Sequence, residues 1–381
     1  MSRRKALLAA LLAAAAAYGV YGAQLSRARA ERRAWMDPGA PELRGAYHVH
    51  TTASDGRGTL ADVLRAARAA GLDFVVVTDH NVRDPDRPEY VDGVLVIPAT
   101  EASTRFGHVV ALGVPRALTP EERDGDPLGA IAALGGEAVL AHPLHPSRPF
   151  TGWGRGAWRG LEVVSNDTSW SRVVVDRDVG RALRAALALP WDGGRAVLAI
   201  ESDPGPELAR FDEEERAAEE SPRRDRRVLL CSADAHGWPS YQAAFEAFSM
   251  RVPVARTGDA AADARGITAA LVDGRASCVI DARGAAGHVR LAAATGAVAG
   301  PGAPGAPGLE LSLAAPTIEG AEVRLLRDGQ LVAQARPEPA DGGRAMIRLP
   351  CGSSACTSGD YRVEVRRDGR PWIFTNPLRI E

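Results

Sequence analysis

His48 and His50 stand two residues apart in the run GAYHVHTTASDG, with Asp55 five residues beyond the second, in a chain of 381 residues that holds 8 histidines. Residues two apart on a β-strand share a face, so both imidazoles are directed at one spot. The same residue types recur after further short apolar runs. Asp79 and His80 follow DFVVVT, and Glu101 follows VLVIPAT with His108 seven residues on. His142 follows AVLA, and Asp234 and His236 close VLLCSADAH. Mixed imidazole and carboxylate is a donor set for Zn, Mn or Fe rather than for Ca or Mg. The candidate ligands are His48, His50, Asp55, His80, Glu101, His108, His142, Asp234 and His236. Nine exceed the three or four protein ligands of a mononuclear catalytic zinc, so two or three ions with shared carboxylates are expected. Such a centre turns a bridging water into a hydroxide nucleophile and clamps the attacking and leaving oxygens of an ester, which is hydrolytic chemistry.

The elements that must hold these residues form an alternating pattern. AYHVH, DFVVVTDHN, GVLVIPATEAS, HVVALGV, EAVLAHP, GLEVVSN, AVLAIESD and RVLLCSADAH read as strands. TLADVLRAARAAG reads as a helix capped by Thr59 and stopped by Gly71, and SRVVVDRDVGRALRAALAL as another. Near-continuous apolar strands alternating with helices predict an α/β fold with a helix-covered parallel sheet, closed as a barrel. The ligand candidates then sit at C-terminal strand ends or in the loops after them, where barrel enzymes place their sites. From residue 284 the texture changes to period-two alternation with two Arg-Asp-Gly turns, predicting a small antiparallel β-sandwich over 284–381.

Composition is ordinary, with 45% hydrophobic and 25% charged residues and a net charge of −2, which offers no basic field for nucleic acid. The basic start MSRRK precedes an uncharged run from Ala6 to Ala23, about 27 Å as a helix. We read residues 1–35 as a signal or membrane anchor, an uncleaved anchor being favoured because Tyr21 spoils a small-x-small cleavage site. That places the protein, of bacterial type, at the cell envelope, exported and either membrane-anchored or released. Cys351 and Cys356 flank a Gly/Ser turn suited to pairing in an oxidising compartment, while Cys231 and Cys278 read as buried thiols.

The ordered segments HVHTTASDG, VVVTDHN, EASTRFGH, AHP and SADAH, over residues 45–240, resemble the motifs of the PHP (polymerase and histidinol phosphatase) superfamily. The resemblance implies a distorted (β/α)7 barrel over residues 36–283 and a di- or trinuclear centre of Mn, Zn or Fe. It also implies a partition: His48, His50, Glu101 and Asp234 on one ion, Glu101, His108 and His142 on a second, and Asp55, His80 and His236 on a third. Asp234, Glu101 and His142 are the residues expected to serve catalysis. Asp234 would orient the nucleophile or take a proton. The ending YRVEVRRDGRPWIFTNPLRIE resembles the tail of CehA/McbA-type metallohydrolases, whose name comes from a carbamate-ester hydrolase.

The expected substrate is a small phosphoester (mono-, di- or cyclic), with a carboxyl or carbamate ester as the alternative. A non-catalytic envelope module that holds metal structurally is the other class. Arg105, His145, Arg148 and Asn166 are candidate substrate contacts, and Trp153, Trp158 and Trp170 candidate walls of the mouth. Asp79 is expected to orient an imidazole. The partner of the sandwich is left open.

Overall fold

The computed structural model describes residues 3–34, 42–219, 227–293, 298–300, 303–306, 309–315, 317–337, 344–349 and 356–380. The apolar N-terminal run belongs to a longer helix, α1 (Arg3–Ala34), which is long and apolar enough to cross a membrane. Its second half lies on the body. Gly22 is buried so closely on Trp191 that a Cβ there would come within 2.4 Å of the indole ring.

Strand β1 (Leu43–Val49) leads into helix α2 (Leu60–Ala70). Thr59 and Asp62 form a reciprocal capping box, and Gly71 ends the helix at φ 71, as the sequence predicts. Strands β2 (Phe74–Val77) and β4 (Val94–Pro98) continue in parallel from β1, with β3 (Glu89–Val91) antiparallel on β4. The expected single strand GVLVIPATEAS breaks at Ala99. Its second part, β5 (Thr100–Thr104), starts a separate sheet with β6 (Gly107–Leu112), β7 (Glu137–Leu140), β8 (Gly160–Ser165) and β9 (Val228–Ser232). Pairing is antiparallel for β5–β6–β7 and parallel for β7–β8–β9.

Short helices α3 (Pro120–Asp124) and α4 (Pro127–Ala133) connect β6 to β7. Four helices separate β8 from β9: α5 (Asn166–Val175), α6 (Val179–Ala188), α7 (Gly193–Ile200) and α8 (Gly205–Glu219). The single helix expected over 171–189 is split at Arg177, which takes a left-handed φ of 54, and Asp178 recaps the chain by accepting from the Arg181 N–H. AVLAIESD, expected as a strand, lies largely in α7. Asp192 caps it by accepting from the Arg195 N–H, and Ala and Leu favour the helix that Ala196, Val197 and Ile200 pack inward.

Helix α9 (Tyr241–Ala247), β10 (Ser249–Val252), α10 (Ala260–Val272) and β11 (Ser277–Val279) follow, with β10 antiparallel to β1 and β11 antiparallel to β10. Backbone bonds stitch the two sheets at their seams: Ala233 N–H to Tyr47 O (2.8 Å), His50 N–H to Ala235 O (3.1 Å) and Asn81 N–H to Glu101 O (2.9 Å). Both seams lie where the histidines sit. The architecture is therefore mixed α/β as expected, but not the uniformly parallel sheet the alternation predicts. The β5–β6 hairpin and the return strands β10 and β11 reverse direction. Cys231 on β9 and Cys278 on β11, read above as thiols, form a disulfide with Cα atoms 5.8 Å apart. A sequence separation of 47 hid a proximity that sheet packing creates.

The C-terminal strands are β12 (Val289–Ala293), β13 (Val298–Gly300), β14 (Ala303–Ala306), β15 (Leu309–Ala314) and β16 (Ala321–Arg327). After them come β17 (Gln330–Ala335), β18 (Arg344–Leu349), β19 (Gly359–Arg367), β20 (Arg370–Thr375) and β21 (Leu378–Ile380). β12, β15 and β18 make one antiparallel sheet, whereas β17–β16–β19–β20 extends the first sheet by pairing β20 with β11. Leu309, Leu311, Val323, Val363 and Trp372 share one core between the two. Both Arg-Asp-Gly turns are tight hairpins with left-handed backbone at Asp328–Gly329 and Asp368–Gly369. The pairing expected of Cys356 involves Cys351, which lies outside the described residues.

Candidate metal centre

All nine candidate ligands converge where the two sheets meet. Glu101, fully buried, is the hub. Its Oε2 lies 3.1 Å from His48 Nε2, 3.1 Å from His50 Nε2 and 3.2 Å from His80 Nδ1. Its Oε1 lies 2.9 Å from His108 Nδ1 and 3.1 Å from His142 Nε2. Asp234 Oδ1 is 3.5 Å from the Nε2 atoms of both His48 and His50. At the outer side, Asp55 stands 3.5 Å from His80 Nε2 and 3.3 Å from His236 Nε2. Three groups have their ligating atoms close enough to share an ion: His48, His50 and Glu101; His80, Glu101 and His108; and His50, Asp55, His80 and His236. Asp234 and His142 border these groups through Glu101's partners and through Glu101 itself.

The donor set fits a metal on geometric grounds. His48 Nε2 and His50 Nε2 face each other at 3.0 Å. Ligands at about 2.0–2.1 Å around one tetrahedral ion are separated by edges of roughly 3.3 Å, the range these contacts span. The electrostatics agree. Burial works against protonation of His48, His50 and His142, yet the surrounding carboxylates outweigh it. His48 is held well above the usual imidazole range and His50 is raised to about 9. Burial likewise opposes ionisation of Glu101 and Asp234, and the imidazoles, His48 foremost, hold both well below the carboxylate range. His80 goes the other way, to about 4, because burial dominates there. The centre demands positive charge, and a cation supplies it without protons.

The backbone is bent to aim these groups. His48, His142 and Asp234 all take left-handed φ, at 67, 29 and 39. Such conformations are costly for non-glycine residues and concentrate at functional sites. His48 also lies where the β1–β2 register shifts between Ala46 and Val49. The two first histidines thus converge through a bulge rather than through the regular alternation that predicted it.

Residues the sequence reading did not single out support the ligands. Glu162 is fully buried; its Oε1 accepts from His48 Nδ1 at 2.6 Å and its Oε2 from the His142 N–H at 2.8 Å. A proton on Nδ1 leaves the Nε2 lone pair of His48 facing the centre. A glutamate inside the apolar strand GLEVVS was the available signal. Tyr241 donates to His50 O at 2.9 Å and receives the Gly58 N–H at 3.1 Å, pinning the loop that carries Asp55. Asp79 does not play its expected part. It accepts from the Thr51 N–H (2.7 Å), the Thr51 hydroxyl (2.7 Å) and the Ser54 hydroxyl (2.6 Å), so it shapes the 51–54 turn and no imidazole is among its described partners.

The substrate candidates are placed unevenly. His145 Nε2 and an Arg148 N–H both meet Asp167 Oδ2, at 3.1 Å and 2.6 Å, and the His145 ring lies 5.5 Å from that of His142. Asn166 is buried beside them. Arg105 is exposed at the β5–β6 tip, its guanidinium over Phe106 at 4.6 Å. The tryptophans fit a mouth less well: Trp158 packs in the main core and Trp153 meets it edge-on, while Trp170 is half-buried.

No protein-family model matches the chain. Over 93 residues it is 31% identical to an uncharacterized protein of Methanocaldococcus jannaschii, a match covering 22% of this chain and 52% of that one. The chain thus spans about half the length of that curated relative. A solved two-domain protein from Bacteroides vulgatus, described as containing a predicted PHP-like metal-dependent phosphoesterase, aligns over 88% of this chain and 95% of its own at 15% identity and a TM-score of 0.40. An amidohydrolase from Chromobacterium violaceum with bound sulfate aligns over 35% and 84%, at 15% identity and a TM-score of 0.23. Likenesses this loose carry no argument about activity.

Proposed function

We propose that the chain is a metal-dependent ester hydrolase of the PHP type, acting on small phosphoesters. One observation carries this reading: a single buried carboxylate, Glu101, is shared by five imidazoles, with two further carboxylates completing the ring. We read the two stitched sheets as the distorted barrel, residues 284–381 as a sandwich-like appendage, and residues 1–35 as the anchor. The Cys231–Cys278 disulfide suits an oxidising, exported location.

His48, His50, Glu101 and Asp234 would hold one ion, Glu101, His108 and His142 a second, and Asp55, His80 and His236 a third; Mn, Zn or Fe suits this donor set. Such ions supply Lewis acidity and acidify a water at neutral pH. The chain's own part is orientation. Glu162 fixes the His48 tautomer, and Ser165 Oγ reaches Asp234 Oδ2 at 3.3 Å, steadying the carboxylate best placed to orient a water or take its proton. Asp167 holds His145 and Arg148 beside His142, where a phosphate oxygen would meet the guanidinium. The tail's resemblance to carbamate hydrolases makes carboxyl and carbamate esters the competing substrates.

The test is nitrophenol release by the full chain in detergent, loaded with Mn or Zn. A phosphodiester, a phosphomonoester and a carboxyl ester are compared, with Glu101→Gln as control. Metal-dependent phosphoester turnover that disappears in the variant supports the proposal. Carboxyl-ester turnover alone transfers the chain to the competing class, and metal binding without turnover points to a structural centre.

A further inference from the structure

Helix α6 carries a stripe of large apolar residues at i, i+4 and i+8, Val179, Leu183 and Leu187, and Leu189 follows just beyond it. All four face solvent, Val179 with 74% of its surface exposed and Leu183 with 57%. Val174 and Val175, at the end of α5, extend the same exposed apolar surface. Surfaces of this kind are unusual on a soluble body and mark a contact. What distinguishes this one is its neighbour. Tyr18 of α1 donates its hydroxyl to Leu187 O at 3.1 Å and packs edge-on against Trp191, and Gly22 lies beneath the same indole.

Length then decides the occupant, on the reading of α1 as a membrane span made above. A hydrocarbon core of about 30 Å needs about 20 helical residues. The uncharged run begins at Ala6, and the first of these contacts with the body is at Tyr18. Residues 6–17 supply only about 18 Å of helix. To span, α1 must therefore also immerse its segment from Tyr18 to Ala23, which is the segment seated on Leu187 and Trp191. The body cannot stay clear of the bilayer while that segment is inside it. Tyr18, Tyr21 and Trp191 gather at this level, the residue types that populate the membrane–water interface. Exposed Arg177 and Arg184 lie beside the stripe, positioned for lipid phosphates.

We propose that α6 and the end of α5 dip into the bilayer interface beside α1, so that the protein rests on a lipid surface at a second place. Helix α5 begins at Asn166, next to the metal centre, and ends in the apolar patch. Lipid contact therefore orients the site with respect to the membrane.

The experiment reconstitutes the full chain into vesicles of phosphatidylcholine and phosphatidylglycerol, confirms flotation, and measures quenching by lipids brominated near the headgroup. Two variants are compared with the parent: Leu183→Trp on α6 and Leu331→Trp on β17, the latter also exposed but remote from α1. The added emission at 183 should be blue-shifted and mostly lost with brominated lipid, and that at 331 unaffected. Emission at 183 insensitive to bromine overturns the proposal. If it is blue-shifted and changes with protein-to-lipid ratio, a second copy covers the stripe instead. A chain that does not float refutes the anchor and this inference with it, leaving the hydrolase reading untouched.

Discussion

Two polar clusters in this molecule both hold buried charge and differ in closure. Around Arg251, every charge is answered: its guanidinium reaches Asp281 Oδ1 at 2.6 Å, Ala286 O at 3.0 Å and the Ser249 hydroxyl, while Arg44 meets Asp281 Oδ2 at 3.3 Å. Donors and acceptors match, so this cluster is a structural joint between β10 and the chain after β11. Around Glu101, the partners do not match in number. Ring nitrogens oppose each other, five imidazoles compete for one carboxylate, and neutrality is reached only by protons or cations. Burial of charge does not by itself mark a site. Lack of closure does.

Removing the hub should break the contrast most. Glu101→Gln is expected to abolish metal-dependent turnover together with the bound metal, both measured on the same sample, the metal by elemental analysis. Loss of activity at full metal content would shift its role from ligand to proton handling.

The complementary break is Asp281→Ala, which strands Arg251 and Arg44. Removing one partner of a buried pair costs about 3–5 kcal/mol, so the thermal midpoint should fall while metal stoichiometry per folded chain stays unchanged. A loss of metal at full fold would show that the two clusters are one network.

Glu162→Gln sharpens the picture at the edge of the centre. It keeps the shape and removes the charge that sets the His48 tautomer, and second-layer carboxylates of this kind are worth about 10–100-fold in metal affinity. Competition against a chromogenic chelator reads this directly.

Acidity gives the smallest effect and the clearest sign. In chelated protein, His50 has its pKa raised from 6.5 to about 9. Its stabilisation is fully present below 6.5 and is lost as pH rises through about 9. The metal-free chain should therefore lose stability across that window. Metal affinity should rise over the same window, with protons released on binding. A flat stability profile from pH 6.5 to 9 in chelator would contradict the proton-for-metal exchange.

Much of this was legible in the chain because local chemistry announced it. Histidines and acids at the ends of apolar runs, or in the loops that follow them, identified all nine converging residues, because polar groups that interrupt the pattern at such places stand out from it. Thr59, Asp62 and Gly71 announced α2 because capping is settled within a few residues. The apolar run after MSRRK announced a helix of membrane length. What depended on distant partners was invisible. Glu162 reads as an interruption in a strand until His48 and His142 are folded against it. Cys231 and Cys278 become a bridge only when β9 and β11 pack together. Asp79 found the hydroxyls of Thr51 and Ser54 instead of an imidazole, a choice made by loop shape. The stripe on α6 has the spacing of any inward-facing helix. Only the tertiary structure shows that it faces outward, because burial belongs to the assembled surface and not to the periodicity of one segment.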